Sequence, residues 1–182
     1  MKRLLSLAAV VLCIFVAGCS TYAVNRYSIS VDNVVTLREY RGTVKSIGEF
    51  TSTKPKLTSL SCRMVGPIET PDKTTFAEYI RQAFVDEFQI AEAFSDSSQT
   101  VLTGNLDDIS FSSTSGTWDM TLTISSNNST SFTVPISYDY SSSFFGETAC
   151  NQTAQALLPA VQELIKATIL HEEFSSLLRP AR

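Results

Sequence analysis

The chain has 182 residues, 43% of them hydrophobic, and a formal net charge of −4. That is enough apolar side chain for one domain with its own core, and the charge has the wrong sign for a nucleic-acid binder. The charge is also uneven, with seven Lys/Arg against three Asp/Glu in residues 19–65 and five against fifteen in residues 66–182.

Lys2 and Arg3 precede an apolar run over residues 4–16 broken only by Ser6, and the small residues Ala17 and Gly18 close it. A basic start, a short apolar run and a small-residue cleavage site are the parts of a signal peptide. A membrane span needs about 20 apolar residues, more than this run supplies. Val16-Ala17-Gly18-Cys19 resembles the lipobox of bacterial lipoproteins. That resemblance implies removal of residues 1–18, a diacylglycerol on the thiol of Cys19, and a third acyl chain such as palmitate on its amine. Only a thiolate is nucleophilic enough for the first acylation, and two or more chains make a stable anchor. Ser20, where inner-membrane lipoproteins carry Asp, implies the periplasmic face of the outer membrane. The alternative is an ordinary secretory signal with a chance cysteine.

Cleavage leaves Cys62 and Cys150 beside the acylated Cys19, and in an oxidising compartment the two are expected to form a disulfide. The alternative is two buried thiols. The basic stretch near the anchor suits an anionic membrane surface; scattered, solvated charges are the other reading.

Residues 19–27 read as a lipidated tether and residues 28–182 as a single periplasmic domain. Ile29 and Val31 alternate with Ser28 and Ser30, suggesting a short strand, after which Asp32 caps a brief helix carrying Val34, Val35 and Leu37. Val44, Ile47 and Phe50 mark a strand over residues 43–50, with a bulge allowed at Gly48. Leu60, Cys62 and Met64 mark another, ended by Gly66-Pro67. Residues 71–94 predict a helix: Thr75 and Glu78 form a capping box, and Phe76, Ile80, Phe84, Phe88 and Ala91 build one apolar face. Glu78, Arg81, Asp86 and Glu92 lie on its polar face.

Residues 99–142 predict an antiparallel meander. Its apolar parity shifts between Leu106 and Ile109, which places a bulge at Asp107-Asp108. Trp118, Met120, Leu122 and Ile124, then Phe132, Val134, Ile136, Tyr138 and Tyr140, alternate with polar residues. Eighteen Ser/Thr among the 34 residues 110–143 supply the wet face. Pro135, which has no N–H to donate, predicts either an edge strand or an N position that faces outward. Residues 147–170 predict a second long helix, kinked or broken before Pro159. Residues 171–178 add a short terminal one.

No constellation of reactive residues emerges, so no catalytic, metal or cofactor site is expected, and the protein reads as a non-enzyme. With one histidine in the chain, zinc sites built on two or more histidines are excluded. His171-Glu172-Glu173 opens like the metalloprotease H-E-x-x-H, but Ser175 stands where the second ligand belongs. Asp107-Asp108 is a weak cation candidate. Asp119 and Asp139 share the wet face of neighbouring strands, where acid–base work needs a cleft to shift one pKa.

The element order is strand–strand–helix–meander–helix. One mixed or antiparallel sheet with both long helices on one face buries every apolar face found, giving a two-layer α+β sandwich. Residues 74–80, Thr-Thr-Phe-Ala-Glu-Tyr-Ile, three strands, and a helix closing on Ile169-Leu170-His171-Glu172-Glu173-Phe174 resemble the YajG-type lipoproteins. They resemble more loosely the auxiliary lipoproteins of lipid-transport ABC systems. The resemblance implies the sandwich and the outer-membrane address. The expected function is a non-catalytic accessory lipoprotein that binds an envelope protein partner through its sheet edge or wet face. The alternative is an auxiliary component of an ABC-type lipid or solute transport system, with an apolar ligand groove between helices and sheet.

Overall fold

A computed structural model describes residues 21–179. The lipobox, with Cys19, lies outside the described residues. The fold is α+β, and its elements are β1 (Tyr22–Ala23), α1 (Val31–Leu37), β2 (Ser46–Ser52), β3 (Ser59–Cys62), β4 (Gly66–Glu69), α2 (Phe76–Ile90), β5 (Val101–Ser112), β6 (Thr117–Ser126), β7 (Ser131–Asp139), α3 (Gly146–Ile169) and α4 (Phe174–Leu177).

The larger sheet runs β2-β5-β6-β7. The meander β5-β6-β7 is antiparallel, and β2 pairs in parallel with β5, so the sheet is mixed. Its inner face carries Leu102, Leu106, Ile109, Trp118, Met120, Leu122, Ile124, Phe132 and Val134, all buried. Helix α2 packs on β2 and β5, α3 on β6 and β7, and α1 touches both helices. Phe76, Ile80, Phe84 and Phe88 of α2 and Leu157, Val161, Leu164 and Ile165 of α3 are buried as their spacing predicts. Thr75 caps α2 by accepting from the Glu78 N–H at 3.1 Å. The register slips between Leu106 and Asp108, which is the predicted bulge, and β7 with Pro135 is an edge strand.

Four expectations need correction. The two N-terminal strands do not share a sheet: β3 joins β4 and β1 in a separate three-stranded sheet, order β1-β4-β3. Gly66-Pro67 begins a strand where a stop was expected. Pro67 precedes the stretch that pairs with β1, so its missing N–H can face a side where that neighbour has not begun. Ile29 and Val31 form no strand: Ser30 caps α1, its hydroxyl accepting from the Asn33 N–H at 3.4 Å, and Val31 is already helical. Helix α3 is not broken before Pro159 and runs on through it. The carbonyl that Pro159 cannot serve belongs to Gln155 on the exposed side of the helix, where water can take it.

The expected tether is engaged from Tyr22 onward, paired in β1, and Val24 is buried. Tyr79 donates its hydroxyl to the Asn25 carbonyl at 2.9 Å, and Gln162 donates its amide to the Ser28 carbonyl at 2.9 Å.

Candidate functional site

Among the described residues, no element covers the side of the larger sheet turned away from the helices. Its strands present Thr51, Asn105, Asp107, Thr123 and Thr133, and these side chains form one hydrogen-bonded row across four strands. The Thr51 hydroxyl donates to Asn105 Oδ1 at 2.7 Å and Asn105 Nδ2 donates to Asp107 Oδ1 at 2.5 Å. Thr123 donates to Asp107 Oδ2 at 2.6 Å, and the Thr123 and Thr133 hydroxyls are 2.7 Å apart. The bulge is what aims Asp107 into this row, because an extra residue there re-aims the side chain. Beside it Asp108 pairs with Lys54 at 2.7 Å, whose hydrogen bond holds the Asp108 carboxyl below its ordinary range. Both acids of the cation candidate are therefore engaged within the fold. No cluster of three or more potential metal ligands occurs among the described residues.

Asp119 and Asp139 are exposed on the same outer face, with Asp119 opposite Ser137 and Asp139 opposite Thr117. The β7 edge adds Ser131, Thr133, Pro135 and Ser137, all exposed or half-buried. His171 lies at the end of α3, its ring stacked on Phe132 with centroids 4.1 Å apart.

The uneven charge along the chain is interleaved by folding. Arg26 pairs with Asp72 at 2.7 Å, Lys45 with Asp96 at 3.0 Å, Lys54 with Asp108 at 2.7 Å and Arg41 with Glu92 at 3.5 Å. Each joins a cation of the basic stretch to an acid of the remainder, so that stretch does not form one basic patch. All four pairs are solvent-exposed, worth at most about 1 kcal/mol each.

Cys62 and Cys150 are joined in a disulfide, with Cα atoms 5.9 Å apart. It ties the end of β3 to the first turn of α3 and holds the small sheet against that helix. Next to it Trp118 donates its indole N–H to the Thr153 carbonyl at 2.9 Å.

Sequence reasoning missed Glu87. It lies on the buried face of α2 with no exposed surface, and one of its oxygens, Oε1, accepts from the Tyr27 hydroxyl, the Ser30 N–H at 2.9 Å and Asn33 Nδ2 at 3.4 Å. The other oxygen, Oε2, is buried without a partner. Burial pushes the Glu87 carboxyl above its ordinary range against the pull of those three hydrogen bonds. Tyr27 is raised too, by burial first and then by its bond to Glu87 and that group's charge. Asn33 Nδ2 also donates to the Gln162 carbonyl at 2.9 Å, so the cluster locks residues 27–33 to α2 and α3. The signal was present in the sequence: Glu87 falls four residues after Ala83 and three after Phe84, within the apolar stripe.

An open cleft of about 340 Å³ lies between β2, the following loop and the start of α2, lined by Phe50, Leu57 and Phe76 together with Glu49, Lys54 and Lys56. A second of about 320 Å³ lies between Arg26, Tyr27 and the α2 surface. Both fall at the small end of ligand-site volumes, about 300–1,000 Å³.

No family model matches the chain, and no curated protein matches it. Among solved structures it is similar to the crystal structure of protein XCC0632 from Xanthomonas campestris, a DUF330 protein, with a TM-score of 0.51 and 12% identity over 86% of this chain and 99% of that one. At that identity the likeness is one of fold: the chain shares its α+β architecture with a DUF330 protein.

Proposed function

We propose that this protein is a lipid-anchored, non-catalytic accessory lipoprotein on the periplasmic face of the outer membrane, binding an envelope protein partner through the outer face and β7 edge of its larger sheet. The observation that carries the reading is the uncovered Thr/Ser/Asp face with its preformed hydrogen-bonded row. A sheet face that needs no rearrangement and ends in an open edge is suited to adding a partner strand or a flat surface. The resemblance to YajG-type lipoproteins belongs to this proposal, as does the anchor at Cys19.

The second reading, an auxiliary component of lipid or solute transport, rests on the cleft lined by Phe50, Leu57 and Phe76. Glu49, Lys54 and Lys56 on its rim favour an amphipathic ligand over a bare acyl chain.

A photo-crosslinking residue placed at Thr133 or Ser137 in the cell should yield one shared protein adduct, and the same residue at the exposed Glu172 should yield none. Adducts of equal strength from all three positions, or from none, would refute the partner face. Cys19→Ala should abolish palmitate incorporation and leave an uncleaved precursor; persistent label would refute the anchor.

A further inference from the structure

The three most exposed large apolar side chains among the described residues are Met64 at 98%, Phe144 at 93% and Phe145 at 74%, and they lie at one end of the molecule. Met64 sits in the turn between β3 and β4, and the two phenylalanines end the loop that leads into α3. Arg63 fastens the two segments together: its Nη1 donates to the Phe144 carbonyl at 3.0 Å, and its Nη2 donates to the Ser113 carbonyl at 2.5 Å. The Cys62–Cys150 bridge closes the same junction from inside. Gly146 lies so near the turn that a Cβ there would sit 3.0 Å from Val65 Cγ2.

This apolar tip is built at some cost. Arg63 and Met64 both have left-handed backbones, φ 46° and 55°, where glycine or asparagine is usual in a tight hairpin. The Val65 N–H to Cys62 carbonyl bond at 2.9 Å closes this turn, and the Met64 side chain it presents is left almost fully exposed.

The direction of the chain says what faces the tip. Strand β1 runs parallel to β4, with Tyr22 opposite Ile68. The chain therefore enters β1 from the side of Gly66 and the Met64 turn. Cys19 precedes Tyr22 by three residues, and three residues of chain span at most about 11 Å. Met64 precedes Ile68 by four. On the lipoprotein reading, an acyl group on Cys19 would have the Met64 turn within its reach.

We propose that this tip is a second membrane contact, with Met64, Phe144 and Phe145 inserted among the acyl chains around the anchored Cys19; it rests on the lipoprotein reading above. Apolar and aromatic side chains partition into the headgroup–acyl boundary. The guanidinium of Arg63 is already committed to carbonyls, and Glu147 is exposed in the first turn of α3, so attraction to anionic lipid contributes little. The tip should insert into zwitterionic bilayers. Helix α3, about 36 Å long for its 24 residues, separates Leu170 from the tip by its full length.

The test uses the full-length acylated protein in phosphatidylcholine vesicles with and without brominated acyl chains. Trp118, the one tryptophan, has no exposed surface and provides a constant background. Phe144→Trp should give blue-shifted emission quenched by brominated lipid at least twofold more than Leu170→Trp, whose position is exposed at the far end. Mass spectrometry of the same sample reads the acyl chains on Cys19. Unquenched, solvent-like emission from acylated Phe144→Trp would overturn the tip contact and leave the anchor standing. Blue-shifted but unquenched emission would overturn it too, because a second copy or another protein then covers the tip. Absence of acyl chains from Cys19 would refute the anchor, and the tip's placement would fall with it.

Discussion

Reducing the Cys62–Cys150 bridge isolates one contribution to stability. The bridged residues are 88 apart in sequence, so the bond removes a large closed loop from the conformational freedom of the unfolded chain. Chain-entropy reasoning for a loop of that size gives about 4.6 kcal/mol at 25 °C, an upper figure because unfolded-state effects reduce it. A domain of this size loses roughly 2–4 °C of melting temperature per kcal/mol, so the transition should fall by roughly 9–18 °C. Thermal unfolding followed by circular dichroism, with and without reductant, reads the shift directly. Cys62→Ala and Cys150→Ala should each reproduce it, since alanine avoids burying a new hydroxyl at positions with no exposure. The double variant should fall no further than either single one, because both remove the same bond. An unchanged melting temperature on reduction, or a double variant that loses twice as much, would refute the reasoning.

Three further perturbations probe other parts of the fold. Phe84→Asp, at a fully buried position, should cost upwards of about 4 kcal/mol and unfold the domain, whereas Thr121→Asp on the outer face should shift a urea midpoint little; equal effects would mean that inside and outside are exchanged. Glu87 binds its proton more tightly folded than unfolded, so its contribution is greatest below its ordinary value near 4.5 and is lost as pH rises above that. Glu87→Gln keeps an acceptor for Tyr27, Ser30 and Asn33 and should flatten this pH dependence; urea midpoints measured from pH 4.5 to 8 that keep the wild-type slope would show that another group sets it. Gly116→Ala forces a side chain into φ +79°, with its Cβ 2.1 Å from the Tyr140 carbonyl oxygen, and should cost more than about 1 kcal/mol by chemical denaturation.

The parts of the fold legible in the sequence are those written in local periodicity. The faces of α2 and α3, the three meander strands, the slip at Asp107-Asp108 and the edge position of Pro135 all follow from spacings within a dozen residues. The partner of β2 does not: Ser46 pairs with Val101, a match fixed by how α2 packs and by no local pattern. Strand β1 is two residues long, too short to show alternation, and Gly66-Pro67 carries a loop signature into a strand because Pro67 falls just outside the stretch that pairs with β1. The candidate surface was half legible. Alternating Ser and Thr marked the wet face, while the row joining Thr51 to Thr133 depends on register between strands up to 82 residues apart. The tip was hidden for the same reason: Met64 read as the last apolar residue of a strand, and only the pairing of β1 with β4 sets the start of β1 on the side of that turn.

The row on the outer face has a direction. A threonine hydroxyl carries one hydrogen, and a carboxylate carries none to give. Thr123 spends its hydrogen on Asp107, so the hydrogen shared with Thr133 belongs to Thr133, and Thr51 and Asn105 likewise give theirs inward from the other side. Every hydroxyl hydrogen in the row thus points to the centre, and both of its ends are left with lone pairs. A surface docking there has to arrive with N–H or O–H groups of its own. Lysine, arginine or asparagine would fit the row, and a surface of carbonyls or carboxylates would be turned away by oxygen facing oxygen.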